Sequence, residues 1–404
     1  MSDRRTSVPG VPEPAPGSAL PAVSGAARGS TLEPTVEASV SEADAYRLLT
    51  VRQLMWRKFL SNRLAVLSAF VLIALYSMTA FAGFVAPYDP QDGVSRLSYA
   101  PPTPLRFRTE EGDFTLRPFV YGLKSERSTK TFMLEFVEDT SVRHPVYFLE
   151  HGEPYRLLGI FPATLRLFGT RDPDARVSLM GNDQRGRDLF SRIVYGGQVS
   201  LSVGLVGVAI MVLLGSVIGT LSGYFGGWFD SLVQRAIETL RVFPEIPLWM
   251  ALSAAIPPTW SPEWVYAGIV VLLALLGWTG LAREVRGLTL SLKRRDFVLA
   301  AEASGASTAR IVRRHLIPTM TSHIIVTATL AVPVTIIGES ALSFLGIGVR
   351  PPMMSWGLLL SDAFKVQVIA LYPWMLFPAL FILVTVLAFN FFGDGLRDMA
   401  DPFS

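Results

Sequence analysis

The chain has 404 residues, 50% of them hydrophobic, a formal net charge of +3 and a mean hydropathy of +0.40. It has no cysteine, which excludes disulfides and thiolate metal sites, and His144, His151, His315 and His323 form no ligand-like cluster, so no metal centre is expected. So small a charge does not point to a nucleic-acid partner, and no Gly-Lys-Ser/Thr run occurs, so any ATP must sit on another chain.

Residues 1–45 are rich in Pro, Gly, Ala, Ser and Glu with scarcely any periodic apolar residue, and are expected to be a disordered tail. A secretory signal fits poorly, because the first long apolar run begins only near Leu64. Residues 46–63 set Arg47, Arg52, Arg57, Lys58 and Arg63 beside Leu48, Leu49, Val51, Leu54, Trp56 and Phe59. That pattern predicts an interfacial helix on the cytoplasmic face. Residues 64–86 form the first transmembrane helix, where Leu64 to Val85 is uncharged and long enough to cross about 30 Å of hydrocarbon.

Residues 87–195 contain strand-like runs (DFTLRPFVYGL, TFMLEFV, HPVYFLE) separated by Pro and Gly turns. They predict a small β-rich extracytoplasmic insert. Its scattered carboxylates Glu135, Glu138, Asp139 and Glu150 fit a solvated strand face better than acid–base pairs. Near its end, Asp183 is placed to cap a helix start, and Arg187 and Asp188 precede an amphipathic turn at the membrane surface. An ordinary charged interface helix is the plainer reading of the same residues.

Residues 196–395 form the transmembrane core, with five further spans. Val199 to Phe229 carries Gly204, Gly207, Gly215 and Gly219, a sign of close helix packing. The third span, Leu232 to Ile256, is the least regular. Arg235, Glu238, Arg241 and Glu245 occupy its first half, and Pro244 and Pro247 interrupt it. Trp264 to Ala282, Thr319 to Phe344 (with Pro333 inside) and Ile369 to Phe392 (with Pro373 and Pro378) complete the set; residues 396–404 are a short tail. Uncharged runs this long argue against a soluble helical protein. Arg283, Arg286, Lys293, Arg294, Arg295, Arg310, Arg313 and Arg314 crowd the segment between spans four and five. The positive-inside rule then puts that segment and both termini in the cytoplasm.

Within that basic loop, 283–318, lies DFVLAAEASGASTARIVRRHLIP, Asp296 to Pro318. Val298, Leu299, Ala300, Ala301 and Ala303 predict a short helix, and Gly305 its C-terminal stop at positive φ. From Ser307 to Leu316 a second helix sets Ile311 and Val312 against Arg310, Arg313 and Arg314, and Pro318 ends it. The product is a compact knob that a soluble partner can grip, although a partnerless surface helix-turn-helix has the same local pattern. In the fifth span, Glu339 is expected to accept hydrogen bonds from Ser340 or Ser343, or from a partner subunit. The sharper alternative is a role in a translocation path, since a carboxylate near the bilayer centre costs about 2.5 kcal/mol or more.

These stretches together resemble the inner-membrane permeases of bacterial ABC importers, most closely the dipeptide, oligopeptide and nickel branch. The EAA loop of that family runs Glu-Ala-Ala, three residues, Gly, nine residues, then Ile-x-Leu-Pro. Here Leu299-Ala300-Ala301, Gly305 and His315-Leu316-Ile317-Pro318 keep the spacing, with Leu299 and His315 replacing the Glu and the Ile. GNDQRGRDLFSRIVYGGQVSLSVG from Gly181, with Asn182 for the usual Thr, resembles the segment entering span two. LAREVRGLTLSLKRRDFVLAAEASGAS, GESALSFLGIGVRPPMMSWG and FNFFGDGLRDMADP extend the likeness as far as Pro402.

The resemblance implies an all-α membrane protein with the six transmembrane helices of the type I ABC importer permease fold, here with the β-rich insert. It implies a transport subunit and not an enzyme, in the bacterial inner membrane, forming half of a pore for peptides, nickel, oligosaccharides or related solutes. Asp296, Ala300, Ala301, Gly305, Arg314, His315 and Pro318 would be the ATPase-coupling residues. Asp183, Gly186, Arg187, Asp188 and Glu339 would be extracytoplasmic or gate candidates. Implied partners are a homologous second permease, two ATPase subunits that bind ATP and Mg, membrane lipid, and an extracytoplasmic substrate-binding protein. The aromatics Phe119, Tyr121, Tyr147 and Tyr155, taken as exposed, would help dock that binding protein. A secondary transporter or channel is the first rival, but no internal repeat is found and midplane charge is thin. A membrane-anchored receptor needs one span, not six.

Overall fold

The computed structural model describes residues 51–109, 113–127, 134–172 and 175–400. The expectations for 1–45, for 46–50 and for 401–404 lie outside the described residues. Helix α1 (Val51–Ser61) stops at Asn62. The Asn62 side chain accepts the Ala65 N–H at 3.2 Å and so starts α2 (Arg63–Ala80), followed by the short α3 (Ala82–Val85). The amphipathic segment and the first apolar run are therefore two helices joined at a capping residue.

Strands β1 (Arg106–Arg108), β2 (Phe114–Arg127) and β3 (Leu134–Pro145) make an antiparallel sheet in the order β1-β2-β3. Strands β4 (Tyr147–Leu157) and β5 (Phe161–Gly169) pair separately. A small cluster of Val120, Val146, Phe168 and Val177 ties the two sheets together. Phe119 and Tyr121 are not exposed as expected. Both are 4% accessible and meet edge to face at 5.4 Å, because Val120 between them is also buried and this stretch of β2 is covered on both faces. Phe114, Leu116, Phe148 and Phe161 are among the exposed apolar side chains of these strands.

Backbone hydrogen bonds close the base of the strand region. Val94 donates to the Gly186 carbonyl at 3.1 Å and Tyr99 to that of Asp183 at 2.9 Å; Asn182 donates to Ala100 at 2.9 Å and Thr103 to Ser178 at 2.8 Å. The strands sit directly on the end of the first span. A Cβ at Gly83 would lie 2.2 Å from the Tyr155 ring, and the Arg166 guanidinium donates to the Ala86 carbonyl at 2.8 Å.

The remaining elements are helical. They are α4 (Leu189–Phe225), α5 (Gly227–Val242), α6 (Glu245–Ala254), α7 (Pro262–Leu292), α8 (Asp296–Ala303), α9 (Thr308–Ile311), α10 (Ile317–Thr319), α11 (Thr321–Phe344), α12 (Trp356–Ala363), α13 (Val366–Leu371) and α14 (Phe377–Ala400). Among the described residues, five helices are long and apolar enough to cross a membrane: α2, α4, α7, α11, and α14 with the turn before it.

The predicted third span is not one of them. It is split into α5 and α6, with Phe243 and Pro244 extended between them. A residue before proline avoids the helical region, and Pro244 cannot donate to the previous turn. Pro247 then falls in the first turn of α6, where its missing N–H breaks no helical bond. Two other boundaries move for similar reasons. Helix α4 begins at Leu189, inside the stretch assigned to the insert, because Asp188 caps it. The last span begins only at Phe377, where Pro378 occupies the first turn.

Helix α4 packs against both α7 and α11, and small residues set the distance. A Cβ at Gly219 would lie 2.4 Å from the Ala282 carbonyl oxygen, and one at Gly204 would lie 2.8 Å from Ile336. Backbone meets backbone at Gly219, so relief requires the helices to separate. Gly219→Ala should therefore destabilise the detergent-solubilised permease by about 1–3 kcal/mol, read as a drop in Tm. Gly287→Ala, where a Cβ meets nothing within 4 Å, should leave the Tm unchanged.

Candidate functional site

The polar residues preceding α4 fold into a tight, buried turn. Asp183, 1% accessible, accepts the backbone N–H groups of Arg185 (2.8 Å) and Arg187 (3.0 Å) on Oδ1. Its Oδ2 takes the Arg187 guanidinium at 2.7 Å and the Arg192 guanidinium. Arg192 reaches on to Asp362 at 3.5 Å, at the end of α12. Asp183 thus organises the turn and does not cap a helix. The cap is Asp188, whose Oδ2 accepts the Ser191 N–H at 2.7 Å and the Ser191 hydroxyl at 2.6 Å. Burial pushes the Asp188 carboxyl up to about 6, against the pull of those two bonds.

Arg187 and Asp188, expected at the membrane surface, are interior: 9% and 1% accessible. The reason is Gly186. At φ +70° it lets the chain fold back until a Cβ there would lie 1.9 Å from the Val94 carbonyl oxygen, and the strand region closes over the turn. Sequence reading missed Arg192. Its signal was an arginine four residues past a capping Asp, at the start of an otherwise uncharged run.

Glu339 is fully buried where α11 meets α4. Ser343 donates to its Oε1 at 2.6 Å, and Ser200 to its Oε2 at 3.1 Å, with Ser340 at 3.4 Å. The Ser343 hydroxyl accepts the Val349 N–H at 3.1 Å, and the Ser200 hydroxyl accepts the Trp356 N–H at 3.0 Å. The carboxyl is thus the centre of a hydroxyl network fastening α4, α11 and α12. Ser200 was not legible from sequence, because it lies 139 residues away.

At the other end of α4 the basic loop forms its knob. Helix α8 closes in a Schellman turn: Gly305 N–H donates to Glu302 at 2.9 Å and Ala306 N–H to Ala301 at 3.0 Å, with Gly305 at φ +74°. Asp296, Phe297, Leu299, Ala300, Gly305, Arg314 and Pro318 are exposed together. Val298 faces inward, and so does Ala301 one turn later, packed with Ala306 against the core that holds Ile311 and Leu316. Of the two alanines expected to couple to an ATPase subunit, only Ala300 faces outward. His315 is half-buried, its ring 6.5 Å from that of Phe297.

Pro318 does not end the second helix. The chain widens into a π turn over Val312–Leu316, where Ile317 N–H donates to the Val312 carbonyl, and continues helical through Thr319. Proline cannot bond the Arg314 carbonyl and its ring crowds that group, and the wider turn relieves the clash.

One side-chain contact fixes the knob itself, and two more brace the helix that leads into it. Tyr224 donates to Glu302 at 2.8 Å, Lys293 to the Gly223 carbonyl at 2.9 Å, and Arg286 grips Asp230 through two bonds of 2.5 Å. The Arg286 hydrogen bonds hold the Asp230 carboxyl below the usual carboxylate range. Among the described residues, no group of His and acidic side chains is arranged to hold a metal.

Removing one partner of a buried ion pair leaves the other charge uncompensated, at a cost of about 3–5 kcal/mol. Arg192→Gln should therefore lower the Tm of the purified permease more than loss of the exposed Arg235 side chain does. Equal Tm values for the two variants would show that Asp183 does not depend on Arg192.

Comparison with known proteins follows this geometry. Residues 215–403 match the model for the binding-protein-dependent transport system inner membrane component. Residues 50–102 match the N-terminal TM domain of oligopeptide transport permease C. The dipeptide transport system permease protein DppC of Bacillus subtilis is 42% identical over 223 residues, 55% of this chain and 68% of its own length. The oligopeptide permease OppC of Haemophilus influenzae is 44% identical over 55% of this chain and 69% of its own. The glutathione permease GsiD of Pectobacterium atrosepticum is 40% identical over 55% and 72%. An inward-facing structure of the MetNI methionine ABC transporter aligns with 52% of this chain and 97% of its own at 18% identity, but its TM-score of 0.41 carries no argument. With the relatives' identities and the family match, the chain belongs to the binding-protein-dependent transport system inner membrane components, as a multi-pass permease subunit of the peptide branch of ABC importers.

Proposed function

We propose that this permease forms half of a translocation pore for peptides or related small solutes and is driven through the knob at 296–318. A homologous second permease supplies the other half, and two cytoplasmic ATPase subunits bind ATP and Mg. An extracytoplasmic binding protein delivers substrate on the side of the strand region, where Phe114, Leu116, Phe148 and Phe161 offer apolar contacts. In this reading both termini are cytoplasmic and the five apolar helices contact lipid and one another. The broken pair α5–α6 completes a sixth crossing. The chain itself makes and breaks no covalent bond.

The observation that carries the reading is the construction of the knob. Its inward side is packed through Val298, Ala301, Ala306 and Ile311, and its outward side presents Phe297, Leu299 and Ala300. An outward phenylalanine and leucine in a loop otherwise rich in arginine and lysine suit a partner surface. A push on α8 passes through the Tyr224–Glu302 and Lys293–Gly223 contacts to the ends of α4 and α7, which then move as rigid bodies.

Two substitutions test this. A β-branched residue at the positive φ of Gly305 costs about 1–2 kcal/mol or reshapes the turn. Ala300→Glu leaves the fold alone and places a charge on the outward face. Both Gly305→Val and Ala300→Glu should insert and pair with the second permease, yet lose ATPase subunits on co-purification and uncouple ATP hydrolysis from uptake. Stoichiometric ATPase subunits and wild-type uptake in both variants would sink the coupling role.

A further inference from the structure

The break between α5 and α6 opens a cavity of about 190 Å³ whose lining includes Arg241, Glu245, Trp249, Gly277, Gly280 and Thr335. Two helices long and apolar enough to cross a membrane wall it: Gly277 and Gly280 stand near the end of the uncharged part of α7, just before Arg283, and Thr335 is the fifteenth of the 24 residues of α11. Arg241 and Glu245 are both exposed there, and among the described residues neither has an ion-pair partner. They line one cavity without touching each other. A third group is also unsatisfied: the Trp249 indole N–H is buried with no acceptor.

Helix dipoles explain the sign of each charge, a cation in the last turn of α5 and an anion in the first turn of α6. They do not explain why both stand against two membrane-spanning helices, where ionisable side chains persist only against a partner or a water-filled path. A positive group, a negative group and an N–H donor, held apart around one space, match a carboxylate, an ammonium and a carbonyl oxygen. The glycines at 277 and 280 leave room: a Cβ at Gly280 would lie 3.6 Å from the Arg241 guanidinium.

We propose that this cavity is a recognition station on the translocation path for short zwitterionic peptides. Arg241 takes the terminal carboxylate, Glu245 the terminal ammonium, and Trp249 a backbone carbonyl. This rests on the pore reading above and adds to it the residues that meet the solute and the chemistry they select. At about 190 Å³ the space is smaller than a typical small-molecule pocket of roughly 300–1,000 Å³, so the second permease supplies the facing wall.

The test uses the reconstituted complex of two permeases and two ATPase subunits, with the binding protein omitted so that only the membrane site is read. Saturation-transfer NMR titrations measure Kd for di-alanine, N-acetyl-di-alanine and di-alanine amide. Loss of a charged hydrogen bond to the ligand is worth about tenfold in Kd. Glu245→Gln should weaken di-alanine by about that factor and leave the N-acetyl form where the wild type has it. Arg241→Gln should do the same with respect to the amide, and Arg241→Lys should restore binding. Arg235→Gln, which removes a charge from the same helix outside the cavity, should change none of the three. Absence of di-alanine binding to the wild type, unchanged constants in both Gln variants, or equal losses for free and capped peptides would each overturn the assignment. Failure of the ATPase subunits to co-purify with the wild type, or absence of ATP-driven uptake once binding protein is added, would instead overturn the pore reading, and the station with it.

Discussion

Everything in the bundle is referred to the close backbone contact between α4 and its two neighbours. Helix α4 has 37 residues, about 55 Å of helix, against a hydrocarbon thickness of about 30 Å. It therefore projects on both sides of any bilayer it crosses, and its ends carry the two polar assemblies of the molecule. Asp188 and Arg192 lie at one end, Tyr224 and the Gly223 carbonyl at the other. In hydrocarbon no hydrophobic effect drives helices together, so their spacing depends on how closely backbones can approach. The contact at Gly219 sets that spacing between α4 and α7. The Glu339 hydroxyl network sets the relation of α4 to α11 and α12, and directional bonds there define one rotation of each helix.

Much of this architecture was legible in the sequence, and the reason differs between elements. Long uncharged runs report helices directly, because hydropathy and length are the physical criterion for spanning a bilayer. The glycines of α4 were legible as packing residues for the same reason. Boundaries were harder. Leu189 to Gln198 looked polar enough for a loop because Ser191, Arg192 and Gln198 spend their polarity on internal partners, which local composition cannot reveal. Leu232 to Ile256 looked like an imperfect span because averaging over a window hides a two-residue break. Phe119 and Tyr121 were read as exposed from alternation alone, whereas burial in a strand depends on what the neighbouring sheet covers.

The same division runs through the functional residues. The stop at Gly305 was readable because positive φ is a property of one residue and its sequence neighbours. Which alanine faces outward was not, since that depends on where Val298 finds its core. Local chemistry identified Asp183 as a capping residue, whereas the cap is Asp188. Telling a turn-organising aspartate from a capping one requires knowing that Arg192 comes back to the first and not the second. The Arg241–Glu245 pair was visible as an irregularity in a predicted span, and only the positions of α7 and α11 turn it into a cavity.

The hydrogen-bonded stem joining residues 93–103 to 178–187 has a consequence for how such a permease can vary. Because the chain leaves and re-enters the bundle at adjacent points, the strand region between them is grafted on a closed base. Lengthening a loop whose ends are already held together adds little closure entropy, only about 0.6 kcal/mol per doubling. The helices beneath see the stem and not what it carries. A module of this kind can therefore be enlarged or trimmed while the spacing of the helices stays as it is, so the strand region and the helical core are free to diverge at different rates.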